Sequence, residues 1–284
     1  MININYVEIK AKSLTKNYRF LHLSDLHLSL CDSRETERRI NHAIKRNTNF
    51  TKDGVPPDKR FDEYIEYIKE RSDENHPEHL DGVLFTGDIM DFPSKANLEY
   101  LDKKLSEIDI PIIFTLGNHD WSFNDDYQSA HAKVFYRPLF SKWCGGNTFI
   151  NKTHIGELCF ITLDNTQGFY EDGVETALEN MLENEKNVFI LQHIPMYVDT
   201  LHDDTIARWK KDKNIGSAEC STNDNWEKIR DLISNPKNSV LGIITGHLHF
   251  HHTDMFTDNT LQLVTDIAAR ANASVITVSA FQDR

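Results

Sequence analysis

With 284 residues, 39% of them hydrophobic and 10% aromatic, the chain is long enough to bury one large core or two small ones. Its 31 basic and 44 acidic side chains leave a formal net charge of −13, which disfavours broad electrostatic binding of nucleic acid. A small anionic substrate is compatible with that charge, because a bound cation reverses the field inside an acidic pocket.

In chain order, the first twenty residues show no apolar stretch of a signal peptide. No later window reaches the roughly 18 apolar residues of a membrane span, so a cytoplasmic protein without membrane contact is expected. The first apolar run, Arg19 to Ser24, has the length and composition of a buried strand, and a long polar stretch from Cys31 to Arg60 follows it. Phe61, Tyr64, Ile65 and Ile68 then share one helical face. A second strand runs from Gly82 to Thr86, and Ser94 is placed to cap a helix carrying Leu98, Leu101, Leu105 and Ile108. Ile112 to Leu116 is a third strand, and Thr148 to Ile150 followed by Leu158 to Leu163 reads as a hairpin. Val174, Leu178, Met181 and Leu182 mark a helix, and Val188 to Gln192 a fourth strand. A second polar stretch covers Tyr197 to Asn225, before a helix at Trp226, Ile229 and Ile233 and a strand from Val240 to Thr245. Thr260 to Val264 and Ser274 to Val278 add strands without an intervening helix.

Strand alternating with helix implies crossover connections, and the hairpin and tail break that rhythm. The expected fold class is α/β, a four-layer α/β/β/α sandwich with two mixed sheets packed face to face and flanking helices. A single domain over 1–284 is expected, with substrate-shaping insertions near 31–60 and 197–225. Four cysteines, Cys31, Cys144, Cys159 and Cys220, are scattered without a Cys-x-x-Cys pair and read as free thiols of a reducing compartment.

Each strand stops at a polar cluster, and those clusters carry the chemistry. The first ends in Asp25-Leu26-His27 and the second in Gly87-Asp88. The third ends in Gly117-Asn118-His119-Asp120, the fourth in His193, and the fifth in Gly246-His247-Leu248-His249. Ligands of α/β sheets bind at the carboxyl ends of strands, so these residues are expected on one rim. Oxygen and imidazole donors without thiolate suit manganese, iron or zinc. A carboxylate can bridge two cations, and Asp88 is the candidate. Glycines beside the ligands let the backbone turn sharply.

The blocks Asp25-x-His27, Gly87-Asp88, Gly117-Asn118-His119-Asp120, His193 and Gly246-His247-x-His249, in that order, resemble the calcineurin-like metallophosphoesterase superfamily. The resemblance implies two divalent metal ions, manganese first, with iron and zinc as alternatives. It implies that Asp25, His27 and His249 hold one ion, that Asn118, His193 and His247 hold the other, and that Asp88 bridges them. His119 is implied as proton donor near the scissile phosphate, with Asp91 orienting it. The Ser/Thr protein phosphatase branch continues with Arg-Gly after Asp91, where this chain has Phe92-Pro93 and so lacks that branch's phosphate-gripping arginine.

Taken singly, each block has a blander reading: Asp25 and His27 as strand caps, Asp88 as a turn residue, His193 as a core imidazole. Five of them in family order outweigh those readings. His22 is read as buried rather than as a ligand, and His251 and His252 as surface or supporting residues. His131, His154 and His202 default to the surface, Asp120 to backbone hydrogen bonding and Asp164 to a turn. The Arg208 to Lys213 cluster reads as a solvated helix face, and Arg34, Arg38 and Arg39 stay undecided.

The function expected is hydrolysis of phosphate esters by water activated between the metals, with a small-molecule phosphodiester, cyclic nucleotides included, as the favoured substrate. The alternatives are a phosphomonoesterase, a DNA or RNA nuclease, and a non-enzymatic scaffold. Net charge argues against the nuclease, and the complete ligand set with His119 against the scaffold.

Overall fold

The computed structural model describes residues 2–12, 14–211 and 225–280. The chain passes through β1 (Asn3–Ala11), β2 (Tyr18–Leu23), α1 (Glu37–Phe50), α2 (Pro57–Glu70), β3 (Gly82–Thr86), α3 (Lys95–Leu105), β4 (Ile112–Thr115) and a short α4 (Ala130–Phe135). It continues through β5 (Ile150–Ile155), β6 (Leu158–Leu163), α5 (Val174–Leu182), β7 (Val188–Leu191), α6 (Asp199–Trp209) and α7 (Asn225–Ser234). The last elements are β8 (Val240–Thr245), β9 (His252–Thr257), β10 (Thr260–Val264) and β11 (Asn272–Ala280).

The strands form a five-stranded sheet in the order β1-β11-β2-β3-β4 and a six-stranded one in the order β5-β6-β7-β8-β10-β9. Both are mixed. β2, β3 and β4 run parallel and β11 is antiparallel to β2. In the second sheet β6, β7, β8 and β10 run parallel between antiparallel edge strands.

Successive side chains of a strand point to opposite faces, and here both faces are covered. Phe20, Leu84, Ile113 and Ile276 of the first sheet meet Phe160, Phe189, Leu191 and Ile244 of the second in one buried cluster. Leu21, Val83, Phe85 and Phe114 face outward onto Phe61, Tyr64 and Ile65 of α2 and Leu101 of α3. Ile161, Val188, Ile190 and Ile243 face outward onto Leu178 of α5 and Trp226 and Ile229 of α7. The layers are therefore helix, sheet, sheet, helix, as expected. Each such side chain contributes roughly 1.5–3 kcal/mol on burial. The Ser94 hydroxyl accepts the Asn97 N–H at 3.1 Å and caps α3.

The structure departs from the expectation in four places. β5 begins at Ile150, where the expected first hairpin strand ended, because its residues are only partly buried and show no apolar run. β1 and β9 were not expected: both are edge strands with exposed positions along them. The polar stretch from Cys31 to Arg60 contains α1, capped by Thr36, with only Ala43 and Phe50 buried. The stretch from Tyr197 to Asn225 contains α6, with only Leu201 and Thr205 buried, and its residues 212–224 lie outside the described residues. No described helix is long and apolar enough to cross a membrane.

Candidate metal centre

The carboxyl ends of β2, β3, β4, β7 and β8 converge, although the first three strands belong to one sheet and the last two to the other. Nε2 of His27 lies 3.2 Å from Nε2 of His249, and Nε2 of His249 lies 3.1 Å from Oδ1 of Asp25. Asp25, His27 and His249 each bring one ligand atom within 4.8 Å of the others, and so do Asp25, Asp88 and His193. Nε2 of His193 faces Oδ2 of Asp88 at 3.3 Å, Oδ1 of Asn118 at 3.1 Å and Nδ1 of His247 at 3.2 Å. Asp88 is thus shared: its Oδ2 lies 3.9 Å from Nε2 of His27, and its Oδ1 accepts the backbone N–H of His119 at 2.8 Å.

The backbone is bent to bring these side chains inward. Asp25, His27, Asp88, His247 and His249 all have positive φ, between 50° and 72°. Non-glycine residues held there cost on the order of 1–3 kcal/mol each and persist where the surroundings enforce them. Hydrogen bonds between the loops do so: Asp25 N–H donates to Gly87 O at 3.0 Å, His27 N–H to Asp88 O at 2.9 Å, and His247 N–H to Oδ2 of Asp25 at 2.9 Å. At Gly246 a Cβ would collide with the side chains of Ser24 and Asp25, so only glycine lets the β8 loop approach that closely.

The electrostatics favour positive charge. Burial opposes ionisation of Asp25 and Asp88, yet neighbouring imidazoles, His249 for Asp25 and His193 for Asp88, hold both carboxyls below the usual range. Burial also opposes charge on His193, but the Asp88 and Asp25 carboxylates outweigh it and raise the imidazole to about 9. His247 is pushed down to about 3 by burial and by His193, so its nitrogen keeps a lone pair. Oδ1 of Asp25 is buried with no hydrogen bond of good geometry, an expensive state for a carboxylate unless a cation compensates it. Nδ1 of His193 is engaged by Thr86 O at 2.7 Å and Nδ1 of His27 by Oδ1 of Asp91 at 3.0 Å, a supporting contact of the kind that orients ligating imidazoles. Buried oxygens and imidazole nitrogens facing one another fit divalent cations of the manganese, iron and zinc kind.

Beside this cluster, Nδ1 of His119 lies 3.4 Å from Oδ1 of Asp91, and the His119 side chain is 32% exposed. Two residues at this point had no sequence signal. Arg46 of α1 grips Asp91 with two bonds of 2.6 Å, from Nε to Oδ2 and from Nη2 to Oδ1. Phe50, at the end of α1, stacks on His27 with ring centroids 4.1 Å apart and planes 4° from parallel.

The remaining candidates fall outside the cluster. His22 is buried, with Nε2 2.8 Å from Oγ1 of Thr86. Asp120 accepts the N–H groups of Asp88, Met90 and Gly117, a backbone role as expected. Asp164 does more than close a turn: besides accepting Thr166 N–H it pairs with the buried guanidinium of Arg137. His131 pairs with Asp126, His154 with Glu185 and His252 with Asp204. His251 is partly buried and His202 stands near Tyr197, with ring centroids 5.6 Å apart. Arg34 pairs with Asp32 and Glu99, and Arg39 with Glu35 and Asp125, while Arg38 lines a cleft with His42. Arg208 lies exposed on α6, and the end of its basic cluster falls outside the described residues.

No curated protein sequence matches the chain. Among solved structures, the fold is similar to a purple acid phosphatase from yellow lupin (Lupinus luteus), with a TM-score of 0.54 at 11% identity over 92% of this chain and 46% of that one. A dimetal phosphatase from Danio rerio aligns with a TM-score of 0.48 at 13% identity over 89% of this chain and 88% of that one. A 5'-nucleotidase from Candida albicans aligns with a TM-score of 0.49 at 11% identity, over 92% of this chain and 48% of that one. The chain thus spans about half the length of the lupin and Candida proteins. The calcineurin-like phosphoesterase family profile matches residues 18–251, a range that contains all five strand-end blocks. This chain belongs to the calcineurin-like phosphoesterase family and is a metal-dependent phosphoesterase.

Proposed function

We propose that the chain is a small-molecule phosphodiesterase that works with two divalent cations, manganese first. The observation that carries this reading is the convergence of seven oxygen and imidazole donor residues, Asp88 at their centre. In it, Asp25, His27 and His249 hold one cation, Asn118, His193 and His247 the other, and Asp88 serves both. Two such cations, when bound, acidify a water and neutralise charge developing on the phosphoryl oxygens.

The rest is done by the chain's own residues. His119 is exposed enough to meet substrate and gives a proton to the leaving oxygen. Asp91 holds Nδ1 of that ring, and the Asp88 carboxylate fixes its backbone, so the donor and the ligand cluster share one frame. The rim is aromatic: Tyr127 donates no charge but lies against Asn118, its hydroxyl accepting from Nδ2 at 3.2 Å, and Trp209 of α6 stands 6.0 Å from the His249 ring. α1 and α6, from the segments near 31–60 and 197–225, therefore frame the substrate space in this reading. The diester preference, cyclic nucleotides included, rests on Gly117-Asn118-His119-Asp120, which resembles the phosphodiesterase and nuclease branches more than a Gly-Asn-His-Glu block does, and on Phe92-Pro93 after Asp91. Arg34 and Arg39 are already paired with carboxylates and the net charge is −13, which counts against a polynucleotide substrate. Cys31, Cys144 and Cys159 are free thiols, which supports a reducing, cytoplasmic setting.

The test is to strip the protein with chelator and assay bis-p-nitrophenyl phosphate and p-nitrophenyl phosphate with manganese, iron or zinc restored. Manganese-dependent cleavage with the diester preferred is the expected result. Silence on both esters from folded, metal-loaded protein overturns the reading, and a monoester preference overturns its diester part.

A further inference from the structure

Asp91 carries more than the imidazole contacts. Its side chain is 1% exposed, and both oxygens are taken by Arg46, whose own side chain is 24% exposed. The two bonds use Nε and one hydrogen of Nη2; no described residue accepts from Nη1. A guanidinium has five N–H donors in a fixed fork, so anchoring one edge on a carboxylate leaves the other edge aimed elsewhere.

The surroundings place the guanidinium next to the candidate site. The guanidinium lies 4.7 Å from the centroid of Phe50, and Phe50 stacks on His27. Oδ1 of Asp91, which Nη2 touches at 2.6 Å, is also the atom 3.4 Å from Nδ1 of His119. One oxygen, Oδ1 of Asp91, thus links Arg46 to the proposed proton donor at 3.4 Å and to Nδ1 of His27, a proposed metal ligand, at 3.0 Å. Phe92 explains how it comes to be there. The residue after Asp91 turns inward and is buried with Ala43 of α1 and Phe123, which clamps the helix against the site. Where an arginine would follow Asp91 in the protein phosphatase branch, this chain uses that position to dock the helix that delivers Arg46.

We propose that Arg46 is a substrate-contacting residue: held by Asp91 through Nε and Nη2, it offers Nη1 to a phosphoryl oxygen beside His119. The inference deepens the phosphoesterase reading and rests on it for the place of the phosphate. Guanidinium–phosphate hydrogen bonds are short and charge-assisted, and a partly exposed guanidinium with one edge already anchored can make them at little further cost in ordering.

The experiment measures binding of inorganic phosphate to the manganese-loaded protein by titration calorimetry, alongside KM and kcat for bis-p-nitrophenyl phosphate. Arg46→Ala is expected to weaken phosphate binding about 10- to 100-fold and raise KM, with manganese content unchanged. Arg46→Lys, which keeps charge but cannot fork, is expected to recover only part of it, and added guanidinium chloride at millimolar concentration to restore binding in Arg46→Ala. Arg46→Gln serves in the same way if the alanine variant does not fold. Unchanged phosphate affinity and KM in the variants, with a lowered melting temperature, would reduce Arg46 to a structural tie while the phosphoesterase reading stood. Phosphate binding that depends on Arg46 in a protein that hydrolyses no ester would support the contact and overturn the activity. Failure of the wild-type protein to bind phosphate at all would overturn the contact, while ester hydrolysis by the same metal-loaded protein decides the activity separately.

Discussion

Asp120 offers the sharpest test of how the ligand loops are held. It is fully buried, and it accepts N–H groups from Asp88 at 2.9 Å and Gly117 at 2.7 Å on Oδ2 and from Met90 at 2.8 Å on Oδ1. One carboxylate thus ties the loop after β3 to the loop after β4. Asp120→Asn preserves shape but not function at one oxygen. Its carbonyl can replace Oδ2 and keep two bonds, whereas its amide then faces the Met90 N–H, donor against donor. An unmet buried N–H costs about 1–3 kcal/mol, and the two surviving bonds lose their charge assistance at about 0.5–1 kcal/mol each. Burial and the Asp88 carboxylate raise the proton affinity of Asp120, so removing its charge also relieves some repulsion. The expected loss is about 2–4 kcal/mol. Urea unfolding of metal-free protein reads this without mixing in metal affinity, and manganese titration of the same variant should show weaker binding, because Asp88 is positioned through its own N–H. If Asp120→Asn unfolds within about 0.5 kcal/mol of the wild type and binds manganese equally well, the carboxylate is not the tie between the loops.

Asp88→Asn should lose metal from both positions and abolish turnover, measured by metal analysis of purified protein and ester hydrolysis; wild-type metal content would remove Asp88 from its shared place. His119→Ala should keep its metal and lose about 10²- to 10⁴-fold in rate, and a rate within twofold of wild type would refute its role as proton donor. Asp164→Ala leaves the Arg137 guanidinium buried and unpaired, so it should cost about 3–5 kcal/mol in urea unfolding, against near-neutrality if the pair adds nothing. His22 gives a pH signature: burial pushes its imidazole down to about 3, against the smaller opposing effect of Asp25. Between that value and about 6.5 the unfolded chain binds a proton that the folded one refuses, so stability falls with falling pH at up to about 1.4 kcal/mol per unit. His22→Gln should flatten the stability curve in that window, and superimposable curves for variant and wild type would show that His22 is not protonated on unfolding.

The difference between what could and could not be read in the sequence has a physical cause. β2, β3, β4, β7 and β8 are buried on both faces, so each appears as a mostly apolar run, broken in β2 only by Arg19 and His22, and the polar block after it stands out. Five of the seven ligand candidates, Asp25, His27, Asp88, His247 and His249, sit in a left-handed turn at the strand end, which makes their position a local property of the chain. β1 shows a weaker signal that was present but short: Val7, Ile9 and Ala11 are buried between Glu8 and Lys10, a clean alternation for an edge strand. α1 is a different case. Ile44 is 62% exposed, so its few apolar residues trace no continuous stripe, and nothing local distinguishes Arg46 from Arg38 or Arg39. What selects Arg46 is a docking of Ala43 against Phe92 and Phe123, contacts between segments far apart in sequence that also set Phe50 on His27. A charge pattern on a helix cannot encode which carboxylate it will meet; that is settled when the helix packs. The proposed metal cluster is therefore written in five short words along the chain, while the proposed phosphate contact exists only once the fold has brought α1 to Asp91.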